Sequence, residues 1–313
     1  MSDLHVPSSL FPSELDSDLE GIGRKTGSKR SLGQILVDAK VLTPENAQRI
    51  IELQREKKIR FGEAAIQLGL MSEADIHYAL SHQYEYSYLP RPSGQHTDAE
   101  LVAAYQPFSH EVDQLRTIRA QLMLRWFDQH NGHAMLAVVG AGRGEGGSYL
   151  AANLAIVFAQ MGERTLLIDA DMRAPRQHVL FQLNNQVGFS SLLASRADVA
   201  SAVHHIPYIN NLDVLPAGPI PPNPQELLNR PNLTELFDWA GKTYDIVLID
   251  TSSLVSGADA IMVASKAGTA LAVARTNATK TSAFKNLIAE LKRSNINVVG
   301  SVLNAPPLID VAP

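Results

Sequence analysis

The chain has 313 residues, a net charge of −5, 45% hydrophobic and 19% charged residues, and no cysteine. That is enough chain for a full α/β domain and a smaller one. Without cysteine there are no disulfides, no thiol catalysis and no thiolate metal sites, which suits a reducing compartment. The acidic balance gives no support for nucleic acid as a partner, and no apolar run is long enough to span a membrane.

In chain order, residues 1–29 are rich in Ser, Asp and Gly without an apolar segment. They are predicted to be a disordered tail rather than a signal peptide. A degenerate repeat follows: Leu32-Gly33 recurs as Phe61-Gly62, and Gln54 as Gln83, both at an offset of 29. The apolar classes keep step, with Leu36-Val37 matching Ala65-Ile66, Val41-Leu42 matching Leu70-Met71, and Ile50-Ile51 matching Ala79-Leu80. Thr43 and Ser72 occupy equivalent N-cap positions. Two helix–break–helix units predict a small all-α domain over 30–89. Tyr84, Tyr86 and Tyr88 alternate at its end, as packing aromatics of a strand edge or as phosphorylation sites. Pro90, Pro92, Gly94 and Pro107 mark residues 90–107 as a linker. A helix over 109–127 places Leu115, Ile118, Leu122 and Trp126 on one face.

Beyond that, short apolar runs alternate with helical patterns. Strands are predicted at 135–139, 165–168, 212–215, 246–249, 269–274 and 297–303, and helices at 148–161, 232–240 and 280–294. The pattern predicts a doubly wound, mostly parallel α/β sheet over 108–313, covered on both faces.

The first of these strands runs into Gly140-Ala141-Gly142-Arg143-Gly144-Glu145-Gly146-Gly147-Ser148. A glycine-rich turn that opens a helix at a hydroxyl is the layout of a P-loop, in which backbone N–H groups cradle phosphates and the hydroxyl binds Mg²⁺. The position before the hydroxyl, normally lysine, is Gly147. Two strands end in aspartates, as Asp169-Ala170-Asp171 and Asp250-Thr251. Ligands of open parallel sheets bind beyond such strand ends, so these carboxylates could hold Mg²⁺ or its waters and orient a nucleophile; a single Asp could equally cap the following helix.

Residues 105–304 resemble the bacterial tyrosine kinases of the exopolysaccharide chain-length-determinant type, within the deviant P-loop ATPases. The resemblance rests on Gly144-Glu145-Gly146 with Ser148 and Ala152-Asn153-Leu154-Ala155, on Asp169-Ala170-Asp171-Met172-Arg173 with Pro175, and on Leu215-Pro216-Ala217-Gly218-Pro219 with Pro221-Pro222-Asn223-Pro224 and Glu226-Leu227-Leu228. Tyr244-Asp245 through Asp250-Thr251, Asp259-Ala260 and Val302-Leu303-Asn304 also match. It implies ATP and Mg²⁺ as cofactors and Asp169, Asp171 and Asp250 as catalytic residues, with Ser148, Asp169 and Asp250 serving the metal. Gly142, Arg143, Gly144, Glu145, Gly146, Gly147, Ser148, Tyr149 and Arg173 would bind ATP, and Asn304 would lie near the adenine. Asp113-Gln114-Leu115-Arg116-Thr117-Ile118-Arg119 resembles the family's oligomerisation helix, in which Asp113, Arg116 and Arg119 would pair between subunits.

The chain departs from the family at three points: Gly147 for the loop lysine, no tyrosine after Tyr244 where a C-terminal tyrosine cluster is usual, and Ser252-Ser253 for a Pro-Pro pair. A cell-division positioning ATPase would need a further loop lysine where Gly142 stands. The repeat resembles the N-terminal domain of type II secretion and type IV pilus ATPases, some of which bind cyclic di-GMP through paired Arg-Leu-Gly motifs. Arg60-Phe61-Gly62 fits the second motif, whereas Ser31-Leu32-Gly33 puts Ser where Arg is wanted. The domain would bind cyclic di-GMP through Arg60, or dock a protein.

The function implied is a cytoplasmic, ATP-dependent tyrosine kinase-like regulator of exopolysaccharide assembly, recruited to the inner face of the membrane by a chain-length-determinant (co-polymerase) protein. The alternative is a catalytically weak or dead nucleotide-responsive scaffold.

Overall fold

The computed structural model describes residues 32–38, 41–72, 76, 100–127 and 135–305. The predicted tail, Ser31, Lys40, the last helix of the repeat, Tyr84, Tyr86, Tyr88, most of the predicted linker and residues 306–313 lie outside them. The described residues divide into two compact units, one before residue 87 and one after it.

The first unit holds helices α1 (Leu32–Asp38), α2 (Pro44–Lys57) and α3 (Phe61–Gln67). Thr43 caps α2 by accepting the Asn46 N–H, and Pro44 occupies the first turn, where its missing N–H costs nothing. The repeat has a packing reason. Leu36 and Ala65, 29 positions apart, are both fully buried in one apolar cluster with Leu42, Ile50 and Met71. Gly33 and Gly62 are the matching small positions: a Cβ would come 3.3 Å from the Phe61 ring at the first and 3.2 Å from Ile76 at the second.

The second unit begins with a short helix α4 (Val102–Tyr105) and α5 (His110–Arg125). Its strands are β1 (Met135–Gly140), β2 (Thr165–Asp169), β3 (His204–His205), β4 (Leu212–Leu215), β5 (Ile246–Asp250), β6 (Thr269–Arg275) and β7 (Asn297–Asn304). The sheet order is β3-β4-β2-β5-β1-β6-β7, parallel throughout except for the antiparallel edge strand β3. Between the strands run α6 (Gly147–Ala159), α7 (Gln177–Leu180), α8 (Phe189–Leu193), α9 (Val199–Ala202), α10 (Pro224–Leu228), α11 (Pro231–Thr243), α12 (Asp259–Ala267) and α13 (Thr281–Arg293).

Side chains of the central strands alternate between two cores. Leu136 and Val138 face the α5/α6 side, and Ala137 and Val139 the α11–α13 side. This two-sided burial is why the strands read as unbroken apolar runs. Each of the six predicted strands is present, within a residue of its expected ends. Residues 101–105, read as linker, instead hold α4 (Val102–Tyr105) and its N-cap Leu101, and all five are buried in the main core. Asn153 of α6 holds them there: its Oδ1 accepts the Ala103 N–H at 2.9 Å, and its Nδ2 donates to Glu100 O and Tyr149 O. Gln160 adds a bond to Ala103 O.

Candidate active site

The strand β1 delivers the glycine-rich loop to the carboxyl end of the sheet, beside the ends of β5 and β6. Gly144 (φ 73°) and Gly146 (φ 91°) are left-handed, while Glu145 and Gly147 between and after them are not. Such alternation turns successive N–H groups to one side as an anion nest. Gly146 caps α6 without a side chain, so the first amides of that helix have no intrahelical partner. Gly146 has no room for more: a Cβ there would run into the Asn304 side chain. Gly147 is different. A Cβ there would meet nothing within 4 Å, so the missing lysine is not excluded by space.

Side chains brace the loop from outside. Asn304 Nδ2 donates to Glu145 O at 3.1 Å, and Arg275 donates to Gly144 O at 2.9 Å. The Glu145 side chain is buried beneath the loop, where its Oε1 accepts the Thr279 hydroxyl at 2.6 Å. Arg143 is exposed and turned to the Ser256 hydroxyl. Tyr149 is half-buried, and burial with the nearby Glu111 and Glu100 charges pushes its hydroxyl up to about 12.

The aspartates divide into three different roles. Asp169 and Asp250 face each other across β2 and β5, both fully buried. Asp169 accepts the backbone amides of Arg176 at 3.0 Å, Gln177 at 2.9 Å and Asp171 at 3.2 Å. It therefore fastens the start of α7 and has little acceptor capacity left of the roughly four lone-pair sites of a carboxylate. Asp250 Oδ2 accepts Gln177 Nε2 at 2.8 Å, and its Oδ1 is buried with no hydrogen-bond partner. Asp171 sits at the half-exposed rim. Its Oδ1 closes a turn by accepting the Arg173 and Ala174 amides.

Burial raises the Asp250 carboxyl to about 6, against the lowering effect of the Gln177 amide and the Ser148 hydroxyl. Burial and then the Asp250 charge raise Asp169 well above the carboxylate range, although the Gln177 and Arg176 amides oppose this. Two facing carboxyls in a buried site resist joint ionisation, so a cation is favoured there. Among the described residues, no three His, Asp or Glu cluster as a metal cage. A Mg²⁺ ion here would need phosphate oxygens and waters besides Ser148 and Asp250, which is how Mg²⁺ is normally held.

Arg173 forms a two-pronged pair with the buried Asp259 at 2.7 and 3.2 Å, and Gln225 joins at 2.9 Å. Its fork thus ties the strand-end loop to α12. On α5, Arg116 pairs with Asp113 of the same helix at 2.9 Å, and Arg119 donates to Val157 O of α6. Gln177 and Arg275 were not singled out by sequence. Gln177 joins the Ser148 carbonyl to Asp250, and the residue carries no motif that marks it. A basic residue closing an apolar strand was the only signal for Arg275.

Comparisons with known proteins bear on the fold that carries these residues. Residues 133–290, half of the chain, match the family described as cellulose biosynthesis protein BcsQ. Tyrosine-protein kinase YwqD of Bacillus subtilis is 37% identical over 221 residues, covering 70% of this chain and 92% of YwqD. The chain belongs to the bacterial tyrosine kinase family. Tyrosine-protein kinase wzc of Salmonella typhimurium is 35% identical over 211 residues, and the chain spans 29% of that relative's length. Among solved structures, the kinase domain of Escherichia coli ETK superposes with a TM-score of 0.64 at 29% identity, covering 69% of this chain and 84% of that one. The chimerical protein CapA2B2 gives 0.62 at 30% identity, covering 72% and 97%. Within this bacterial tyrosine kinase fold, the glycine-rich loop, the helix-opening Ser148 and the strand-end aspartates are brought together, and Gly147 stands before the hydroxyl.

Proposed function

We propose that the chain is a protein-tyrosine kinase that binds Mg-ATP at the glycine-rich loop and regulates exopolysaccharide assembly. The observation that carries this reading is Asp250 Oδ1, buried without a partner at the end of β5, beside Ser148 and the unpaired amides that open α6. An oxygen of that kind, next to an anion nest, fits a hard cation shared with phosphates. When bound, Mg-ATP supplies the transferable γ-phosphoryl group and the divalent charge that offsets it. The loop amides would hold the phosphates, Ser148 and Asp250 would hold the metal, and Gln177 would keep Asp250 in place. Asp171 is at the accessible rim, and its Oδ2 has no protein partner among the described residues. It would accept the proton of the tyrosine hydroxyl.

The protein would work at the inner face of the membrane with a chain-length-determinant co-polymerase. No helix among the described residues is long and apolar enough to cross a membrane. Subunits would associate through Asp113, Arg116 and Arg119. The test is to incubate the protein with Mg-ATP and the cytoplasmic segment of such a partner, and to follow phosphotyrosine. Product that forms with the native chain and vanishes with Asp171→Asn supports the kinase.

Gly147 favours a second reading, a nucleotide-responsive scaffold. Phosphoryl transfer leans on charge stabilisation, and losing a charge-assisted bond costs about 1.5–3 kcal/mol. If nucleotide binds but phosphotyrosine forms only with Gly147→Lys, the scaffold reading stands. The N-terminal unit would sense cyclic di-GMP through Arg60, which opens α3 with its N–H on Glu63, or would dock a protein. The absence of any shift with cyclic di-GMP at high micromolar concentration would leave the docking role.

A further inference from the structure

The loop has no cation at 147, yet a cation is bound to it from another strand. Arg275 is the last residue of β6, which pairs with β1 at Gly140↔Val273, so its backbone emerges beside the loop that β1 feeds. Its guanidinium donates to Gly144 O at 2.9 Å. Its main chain is tied to the same loop: the Arg275 N–H donates to Thr279 Oγ1 at 2.8 Å, and Thr279 donates to the buried Glu145 carboxylate. The next amide, of Thr276, donates to the carbonyl of Asn304, whose side chain holds Glu145 O. Arg275 is therefore placed by the loop it touches.

Among the described residues, no carboxylate lies within ion-pair distance of Arg275. Arg116, Arg164, Arg173, Arg176 and Arg293 each pair with a carboxylate. One N–H of a five-donor fork is spent on a carbonyl, which leaves donors for a further acceptor. A guanidinium in that state beside an anion nest suits a phosphate, which it can bind through two parallel bonds. Arg143, although within the loop, is exposed and engaged with Ser256.

We propose that Arg275 supplies, from β6, the positive charge on the nucleotide's phosphates that the loop lysine would otherwise provide. The inference rests on the reading of the loop as an ATP site.

The test is calorimetric titration of the full chain with Mg-ATP and, separately, with adenosine. Arg275→Gln is expected to weaken Mg-ATP binding by about 10- to 100-fold, the loss of one charge-assisted contact, and to leave adenosine binding unchanged. Arg275→Lys should recover part of the affinity, and Gly147→Lys placed on Arg275→Gln should restore most of it. Arg143→Gln should have the smaller effect of the two arginine changes. Equal ATP affinity in Arg275→Gln and the native chain overturns the proposal, as does a parallel loss of adenosine binding, which would mean loop collapse. A native chain that binds no nucleotide removes both this inference and the ATP reading beneath it.

Discussion

Asp250→Asn should make the metal-free protein more stable at neutral pH. The Asp250 carboxyl is fully buried and lifted from its ordinary 3.8 to about 6, first by burial. The folded state therefore binds the proton more tightly than the unfolded chain. Its stabilising effect is complete below pH 4 and is lost as pH rises through about 6. Ionising the group in the folded protein costs about 3 kcal/mol at pH 7.5, an order-of-magnitude figure at 1.36 kcal/mol per pH unit. Asparagine has nearly the same shape, keeps an oxygen for the Gln177 amide and carries no charge. It also removes the charge that raises Asp169. Trp126 and Trp239 both lie in the second unit, so urea unfolding in EDTA can be followed by their fluorescence. The variant should gain about 3 kcal/mol at pH 7.5, with the gain nearly gone at pH 4. Added Mg²⁺ with ATP should stabilise the native chain more than the variant. A variant that is no more stable at pH 7.5, or whose advantage is the same at pH 4, refutes the argument that ionised Asp250 is electrostatically strained in the metal-free protein.

Gly147→Lys should change stability by less than about 1 kcal/mol: leaving glycine in a helix gains about 0.5–1 kcal/mol, and a cation at a helix N-terminus costs a similar amount. Thermal melting checks this, and a loss above 2 kcal/mol would show that the position is not open. Gly146→Ala should cost about 2 kcal/mol or more, because φ is 91° and the new methyl meets Asn304. Denaturant titration of that variant would reveal the strain. Asn153→Leu leaves the Ala103 N–H buried and unpaired, at about 2–4 kcal/mol, and hydrogen exchange should rise at 101–105 before it rises in the sheet. Asp113→Ala breaks an exposed i,i+3 pair and should move stability by about 0.5 kcal/mol or less. If α5 joins subunits, sedimentation should nevertheless show smaller species.

The strands were legible because a parallel strand buried on both faces must be apolar at every position, and Ile246-Val247-Leu248-Ile249 can hardly be anything else. The loop was legible because two of its glycines, Gly144 and Gly146, take left-handed φ that the backbone turn requires. The edge strand β3 was not, since two histidines paired at a sheet margin carry no apolar signature. The short helices α4 and α7 were equally hidden. α4 is held by Asn153, some 50 residues away, and α7 by the Asp169 carboxylate. Neither has enough turns to be stable from its own residues.

Within the site the division is sharper. Residue types and spacing placed Ser148, Asp169, Asp171 and Asp250 at the carboxyl ends of the sheet, because local periodicity and strand ends are properties of neighbouring residues. The same reading could not tell the aspartates apart, nor foresee that Glu145 turns under the loop. Arg173 reaches Asp259 across 86 positions, Arg119 reaches Val157 across 38, and Arg275 reaches Gly144 across 131. Sequence alone determined that a glycine-rich loop of P-loop layout, with Gly147 before its hydroxyl, opens a buried helix in a parallel sheet. Only the tertiary structure decided which cation stands beside that loop, because strand order sets it: β6 lies next to β1, and no local pattern records which strands are neighbours.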